Sequence, residues 1–196
     1  MASYVGLAPT SVWIWRPTAI QVQEVYHTLV SEFETGAEQR RGKWVRPLIK
    51  ATLRYDRPAL TVEDLADIWR FYRKQQGSLR TFDLPLFGKL TAVTSLSTVG
   101  STSLWLDDTQ DLSSSATSRW SKLYLQNAAG NYDVFTVTSV TGATRIEVQS
   151  STGNVYQVGD PVAPVINARF ADDLHGPEYL PAYLANYGVS FLEVRT

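Results

Sequence analysis

The fold of this chain is decided by the segment VRPLIKATLRY, residues 45–55. Read as an extended chain, the segment places apolar residues on one face and polar residues on the other: Val45, Ile49, Ala51, Leu53 and Tyr55 against Arg46, Lys50, Thr52 and Arg54. A period of two with one apolar face is typical of a half-buried β-strand. Pro47 cannot donate a hydrogen bond to a neighbouring strand, so we expect its end of the strand at a sheet edge or a bulge.

The residues before this strand predict its partner. Ile20 to Phe33 is rich in β-branched and aromatic residues, which favour strands. Glu34-Thr35-Gly36-Ala37 supplies a turn between the two runs. The sequence therefore predicts a long antiparallel hairpin in which residues 20–33 pair with residues 43–55.

One helix is predicted after the hairpin, over residues 62–76. Thr61 is a good N-cap, and Asp64 three residues later completes an aspartate version of the capping box. Gly77 is expected to end the helix as its C′ residue. Helical spacing gathers four apolar residues into one stripe: Leu65, Ile68, Trp69 and Tyr72. A further strand is predicted from Leu79 to Leu86.

The middle of the chain is rich in hydroxyl side chains: 15 of the 31 residues from Thr91 to Ser121 are Ser or Thr. Short β-rich runs separated by Gly and Asn turns at intervals of about ten residues are typical of a small barrel or sandwich. The predicted strands are Ser103–Leu106, Lys122–Gln126, Tyr132–Val140, Arg145–Ser150, Val155–Val158, Val165–Phe170 and Gly188–Val194. We expect a mainly β protein with one prominent α-helix. A β-sandwich or split-barrel core domain, residues 1–88 and 165–196, would carry an inserted small β-barrel, residues 89–164.

Composition excludes several kinds of functional centre. The 196 residues include no cysteine, which excludes disulfides, thiolate zinc sites, iron–sulfur ligation and cysteine nucleophiles. The two histidines, His27 and His175, are far apart in sequence, so we expect no multi-histidine metal centre. A net charge of −1 gives no global attraction to nucleic acid or anionic lipid. No apolar run approaches the length of about 18 residues that predicts a membrane span.

The sequence predicts no catalytic residue, no cofactor and no metal site. It contains no P-loop, no dinucleotide-binding glycine motif, no zinc-protease motif and no nucleophile elbow. Asp107, Asp108 and Asp111 form a small acidic cluster, but the spacing of a calcium loop fails after the first positions. We interpret these residues as solvated loop carboxylates.

Charge is distributed unevenly along the chain. Residues 1–80 carry 12 Lys or Arg and 8 Asp or Glu, whereas residues 81–196 carry 6 and 11. A basic stretch with Trp44 and Tyr55 interleaved contains Arg40, Arg41, Lys43, Arg46, Lys50, Arg54 and Arg57. It is either a phosphate-tracking face or, as we prefer, the solvent- or subunit-facing side of a strand. In the preferred interpretation it is neutralised across the hairpin by Glu24, Glu32, Glu34 and Glu38.

Trp13 and Trp15 form a local concentration of aromatic residues. Two interpretations stay open. These residues belong to an edge strand that covers the core, or they anchor the chain on a neighbouring subunit, since buried Trp commonly dominates interface energetics. The 12% aromatic content of the chain is compatible with both, because aromatic residues are enriched in β cores and in protein interfaces.

The order of these features resembles a known family. The segment FETGAEQRRGKW, residues 33–44, precedes the alternating strand, and the helix region that follows ends in WRFYRKQQG, residues 69–77, before TFD at residues 81–83. This resembles the distal tail proteins of long-tailed phages, including minor tail protein M-like and gene-transfer-agent relatives. Those proteins show a G-x-E-x-R…W hairpin and a helix ending in F-[FY]-x-x-x-x-G. The resemblance covers residues 20–87 and the closing strand near residues 189–194, with the core-motif residues Gly36, Leu65, Ile68, Trp69, Tyr72, Gly77 and Phe82.

The resemblance implies a structural virion protein of the tail tip or baseplate, without enzymatic activity. Family members form homo-oligomeric rings, commonly hexamers, between the tail tube and the tip hub. The expected partners are therefore further copies of this chain, the tail tube protein and the tip or hub protein. DNA would pass through the channel without specific binding, assembly would take place in the host cytoplasm, and no membrane is involved. The candidate oligomer-interface residues are Trp13, Trp15, Glu38, Arg40, Arg41, Trp44 and Arg46.

Two other hypotheses concern residues 89–164, for which the resemblance implies little. The alternative function is a host-surface carbohydrate-binding module of a tail, in which aromatic side chains such as Trp105, Trp120 or Tyr124 face sugar rings. The third hypothesis is a hydrolase that uses acidic residues of the inserted β unit. Its candidate residues are Asp107, Asp108, Asp111 and Asp133.

Overall fold

The computed structural model describes residues 12–26, 28–32, 38–42, 46–56, 60–87, 91–109, 112–114, 120–172, 178–180 and 184–194. Strands account for 48% of the structure and the helix for 10%, which confirms a mainly β protein with one prominent helix and a sandwich-type core. Within the described ranges, no helix has the length and apolar character needed to cross a membrane.

In chain order the elements are β1 (Ala19–Val25), β2 (Thr28–Glu32), β3 (Glu38–Gly42), β4 (Leu48–Tyr55), α1 (Val62–Gln75), β5 (Phe82–Pro85), β6 (Thr91–Ala92), β7 (Ser103–Trp105), β8 (Lys122–Gln126), β9 (Tyr132–Thr141), β10 (Arg145–Val148), β11 (Pro161–Phe170), β12 (Glu178–Leu180) and β13 (Leu184–Glu193). They belong to two compact units. We call Pro17–Thr81 with Ala168–Thr196 the hairpin unit, and Met1–Arg16 with Phe82–Asn167 the insert unit. Unlike the predicted core domain of residues 1–88 and 165–196, the hairpin unit excludes residues 1–16; the division into domains itself stays a prediction.

The hairpin unit is built on the predicted hairpin. Its strands lie in the order β1-β4-β13-β11, and β12 pairs with β13. Only the last residues of β11 belong to this unit. β1 pairs with β4 from Ala19 opposite Arg54 to Val25 opposite Leu48. β2 and β3 continue the hairpin as a two-stranded sheet of their own. The hairpin thus forms as two successive ladders, and the predicted pairing is corrected in part because residues 28–32 pair with 38–42, outside the expected range of 43–55. Pro47 lies just before β4 begins.

The alternating segment of β4 supplies the core of the hairpin unit. Ile49, Ala51, Leu53 and Tyr55 are all buried, as the period of two predicts; Val45 lies outside the described residues. Leu53 pairs with Val189 and Ala51 with Phe191 of β13, which places these apolar residues side by side. Glu193 is a buried carboxylate beside these residues, and it accepts a hydrogen bond from the Ile49 N–H at 2.8 Å.

The helix forms where the sequence predicts it, with different end and burial details. The Thr61 hydroxyl accepts the Asp64 N–H at 3.1 Å, and the Asp64 carboxylate accepts the Thr61 N–H at 2.9 Å, so the capping box is present. The predicted stripe is corrected: Leu65 and Ile68 are buried, but Phe71 is the third buried apolar residue, while Trp69 and Tyr72 are half-buried. The left-handed turn begins one residue earlier than expected, at Gln76 with φ 54°, and Gly77 follows with φ 64°.

The insert unit is an antiparallel sheet ordered β11-β8-β9-β10-β7, with β5 and β6 also paired to β11. The ladders alone leave this sheet open, whereas we expected a small β-barrel here. An isolated bridge between Val93 and Leu106 joins its two ends, supported by hydrogen bonds from Thr94 N to Trp105 O at 2.9 Å and from Asp107 N to Ala92 O at 3.0 Å. These strands enclose one buried cluster: Val93, Leu104, Leu106, Leu123, Leu125, Phe135, Val137, Ile146, Val148, Tyr156 and Val162.

Several predicted strands are corrected in length or type. The strand expected at Val165–Phe170 begins at Pro161, and the one expected at Gly188–Val194 spans Leu184–Glu193. The strand expected from Leu79 to Leu86 is limited to β5, and Leu79 is 73% exposed because it still belongs to the turn after the helix. The strand expected at Val155–Val158 is a single bridge between Tyr156 and Ser97, because Gly159 turns the chain with φ 93°. The strand expected at Arg145–Ser150 ends at Val148, after a register shift at Glu147.

Candidate assembly interface

The two tryptophans that were candidate interface anchors lie in the core of the insert unit. Trp13 is 0% exposed and Trp15 is 9% exposed. The Trp13 indole N–H donates to the Trp15 carbonyl at 3.1 Å, and the two rings meet edge to face at 4.9 Å. Phe82, a buried core-motif residue, has its ring centroid 6.4 Å from that of Trp13. These contacts favour the first of our two interpretations, in which the tryptophans cover their own core.

The remaining interface candidates lie on the hairpin. Glu38, Arg40 and Arg41 occupy β3, and Arg46 is half-buried at a bend before β4. Trp44 and the core-motif residue Gly36 lie outside the described residues. The candidates are therefore divided between the two units, and only those of the hairpin stay available as an interface.

The register of the hairpin shows which residues lie directly opposite two of its basic residues, while their neutralisation by glutamates stays a prediction. Arg40 lies opposite Val30, and Arg41 lies opposite Leu29. Glu32 lies opposite Glu38, and like charges at directly opposite positions of a ladder are unfavourable. The ladder between β2 and β3 thus places no acidic residue directly opposite either arginine.

The outer edge of β1 is the second notable feature of the hairpin. β1 is the first strand of its sheet, and in the described part of the chain no strand pairs with its other side. Natural proteins commonly protect such edges with Lys, Pro or a bulge. β1 has none of these over its seven-residue ladder, and Glu24 is its only charge. The strand ends in two exposed apolar residues, Val25 (36%) and Tyr26 (67%).

The two sides of the hairpin carry opposite charge. Residues 19–32, on the β1 and β2 side, contain Glu24 and Glu32 and no Lys or Arg. Residues 38–46, on the β3 side, contain Glu38 against Arg40, Arg41, Lys43 and Arg46. Because β2 and β3 pair only with each other among the described strands, each also presents one side that carries no ladder there. The hairpin therefore offers two strand edges of opposite charge.

Of the acidic residues of the hydrolase hypothesis, the three that the structure describes have no shared contact. Asp107 and Asp108 are exposed, and Asp111, like His27 and His175, lies outside the described residues. Asp133 is engaged in holding a loop, since its Oδ2 atom accepts hydrogen bonds from Gly153 N, Asn154 N and Tyr156 Oη at 3.1, 3.2 and 2.7 Å. Among the residues that the structure describes, no group of three His, Asp or Glu is placed to hold a metal ion.

The aromatic residues of the carbohydrate hypothesis have different environments. Tyr124 is 2% exposed and stacks on Tyr132 with the ring centroids 5.4 Å apart. Trp120 is half-buried, and Trp105 is 44% exposed. Of the three, Trp105 offers the most surface to a ligand.

Comparison with known proteins adds no assignment: no family model matches this chain, and no curated protein matches it. Two features of the structure were not predicted from the sequence. The open edge of β1 has only a weak signal in the sequence, which is that residues 19–26 contain no Lys, Arg or Pro. The pairing of Trp105 with Arg145 has no signal in the sequence, because it depends on β7 lying beside β10, and the two residues are 40 positions apart in the chain.

Proposed function

We propose that this chain is a structural virion protein of a phage tail tip or baseplate, which forms a homo-oligomeric ring joining the tail tube to the tip hub. The observation that carries the proposal is the hairpin with two open edges of opposite charge. The order of hairpin, capped helix and following strand supports it through the resemblance to distal tail proteins. The proposal assigns no enzymatic activity.

The two edges suit a head-to-tail contact between copies. A ring requires a front surface and a different, complementary back surface on each subunit, because a contact between identical surfaces closes as a dimer. The acidic β1–β2 side of one copy and the basic β3 side of the next provide such a pair. Strand addition at an open edge supplies backbone hydrogen bonds, and charge sets which edges meet.

Burial in such a contact would remove two liabilities of the isolated chain. The exposed apolar residues Val25 and Tyr26 at the end of β1 would be covered. The two-stranded sheet of β2 and β3 would gain neighbours, and a two-stranded hairpin alone is only marginally stable in water. We favour a hexamer because the resembling proteins commonly form one.

The proposed neighbours of the ring are the tail tube protein on one side and the tip or hub protein on the other. DNA would pass through the channel without being gripped. The net charge of −1 supports passage without tight binding, because sequence-independent affinity for DNA comes from excess positive charge. The protein would act in the virion tail after assembly in the host cytoplasm.

Charge reversal on the two edges tests the contact. Glu24→Lys on β1 and the pair Arg40→Glu with Arg41→Glu on β3 should each disrupt the oligomer measured by light scattering after size exclusion, because like charges then meet. All three changes on one chain should restore assembly. Asp107→Lys and Arg80→Glu are matched controls at exposed positions outside the hairpin strands, and they should assemble like the unmodified chain. Disruption by the controls, or assembly unchanged in both edge variants, would contradict the proposed contact.

A further inference from the structure

The outer face of the insert unit carries a group of side chains that ring assembly does not use. In β7 and β10, Leu104 and Ile146 point into the core and are 1% and 0% exposed. Because side chains alternate along a strand, their neighbours lie on the opposite face. Trp105 pairs with Arg145 there, and Ser103 pairs with Glu147. We call these four residues the Trp105 surface.

Contacts within the Trp105 surface fix its side chains. The Arg145 guanidinium lies over the Trp105 ring, with Cζ 5.5 Å from the ring centroid. Arg145 Nη2 donates to Glu147 Oε1 at 2.6 Å, and the Ser103 hydroxyl donates to Glu147 Oε2 at 2.7 Å. The hydrogen bond from Ser103, aided by Arg145, lowers the pKa of Glu147, so this carboxylate is ionised at neutral pH. Groups held in place before a ligand arrives cost less entropy on binding.

The chemistry of this surface selects for a ligand that is both apolar and hydroxylated. The indole of Trp105 is 44% exposed and offers an apolar, polarisable area. Beside it stand a guanidinium donor, a carboxylate acceptor and a hydroxyl, and the next register positions on β9 add Thr141 opposite Arg145 and Ser139 opposite Glu147.

The charge of the surface excludes strongly charged ligands. Arg145 and Glu147 neutralise each other at 2.6 Å, so the surface carries no net charge to attract a phosphate or a cation. A pyranose has an apolar C–H face that packs on an indole and a rim of hydroxyls that both donate and accept hydrogen bonds. We propose that the Trp105 surface is a binding site for a neutral saccharide.

The site is independent of the proposed ring contact. All four of its residues belong to the insert unit, whereas the hairpin edges belong to the hairpin unit. Saccharide binding should therefore persist in the Glu24→Lys variant whether or not that variant assembles. This separates failure of the saccharide site from failure of the ring.

Saturation-transfer difference NMR on the purified full chain tests the site, with cellotetraose, chitotetraose and maltotetraose as probes. At least one should bind, with transfer strongest to ring C–H protons. Trp105→Ala should weaken its affinity by about tenfold, because truncating an aromatic residue at the centre of a binding site commonly costs more than about 1 kcal/mol. Trp105→Phe should retain part of the affinity, which guards against a fold effect, and Glu147→Gln should reduce it by removing an ionised acceptor.

The matched control is Leu79→Ala, which removes another exposed apolar side chain, on the hairpin unit but outside the proposed ring contact, and should leave binding unchanged. The site is overturned if none of the three neutral oligosaccharides binds, or if binding is equal in the unmodified chain and in a folded Trp105→Ala variant. Binding restricted to anionic polysaccharides such as heparin would overturn it as well. A protein partner lost on Trp105→Ala, without any saccharide binding, would mean that this surface is a protein contact instead.

Discussion

At the scale of single residues, Asp133 illustrates how acidic side chains of this chain serve the fold. One of its oxygens accepts hydrogen bonds from two backbone N–H groups and a phenol of residues 153–156, about twenty residues along the chain. The loop fits closely, since a Cβ added to Gly153 would lie 3.2 Å from Asp133 Oδ1. The sequence predicts which residues of 45–55 are buried because their pattern is local. It could not predict the partners of Asp133, which meet it only through the tertiary fold.

We expect Asp133→Ala to lower the free energy of unfolding by about 2 kcal/mol, because several buried or partly buried donors lose a charged acceptor. Urea denaturation of the purified chain measures this. Asp107→Asn, at an exposed position, is the control and should change the value by no more than about 0.5 kcal/mol. Equal stability of both variants would show that Asp133 does not hold the loop.

Two buried tyrosines should make the protein sensitive to alkali. Burial raises the pKa of Tyr187 far above its usual value, with Tyr55 and Tyr72 adding to the effect. Burial also raises the pKa of Tyr156, helped by its hydrogen bond to Asp133. A pKa raised by folding stabilises the protein below the unfolded pKa of about 10, and this contribution is lost as the pH rises above that value.

Above about pH 10, each such tyrosine should reduce the free energy of unfolding by about 1.4 kcal/mol per pH unit. Tyr187→Phe removes one titrating group, so its stability should fall less steeply with pH than that of the unmodified chain. Urea denaturation at several alkaline pH values compares the two slopes. Parallel slopes would mean that Tyr187 ionises as readily in the folded state as in the unfolded one.

At the scale of elements, the helix shows what local sequence can and cannot predict. The capping box of Thr61 and Asp64 forms as expected, because both partners lie within one turn. The helix end is located to within a residue, but the left-handed conformation begins at Gln76 and not first at Gly77. Phe71 is buried and Trp69 only half-buried. The rings of Phe71 and Tyr72 pack on Phe170 at 6.3 and 4.9 Å, contacts that helical periodicity does not reveal.

Gln76→Gly should raise the free energy of unfolding by about 1 kcal/mol, because a residue without a Cβ adopts a positive φ without strain. Gly77→Ala, at φ 64°, should lower it by a similar amount. Thermal unfolding monitored by circular dichroism measures both. A destabilising Gln76→Gly would show that the Gln76 side chain makes a contact worth more than its backbone strain.

The edge of β1 is likewise an element-scale property that sequence reasoning missed. The hairpin was predictable from a turn between two β-rich runs. Which edge of the hairpin stays open could not be predicted, because β4 takes β13 as its second neighbour, and the paired residues of these two strands lie more than 130 positions apart in the chain. A free edge is defined by pairings elsewhere in the sheet.

At the scale of the whole molecule, the chain behaves as two units with different proposed tasks. The hairpin unit holds the edges that we assign to ring assembly, and the insert unit holds the Trp105 surface that we assign to a saccharide. The predicted mainly β fold with one helix is confirmed, because strand and helix patterns are local and strong here. From the sequence, Trp13 and Trp15 were expected either to cover the core or to anchor the chain on a neighbouring subunit; both are buried in the insert unit.

Electron microscopy of the purified chain, with copies counted around the axis in class averages, tests the central claim most directly. We predict closed rings of several copies, six by preference, which the Glu24→Lys change breaks and the compensating changes at Arg40 and Arg41 restore. Particles containing single copies at all protein concentrations, even with the tail tube and tip proteins added, would contradict the account.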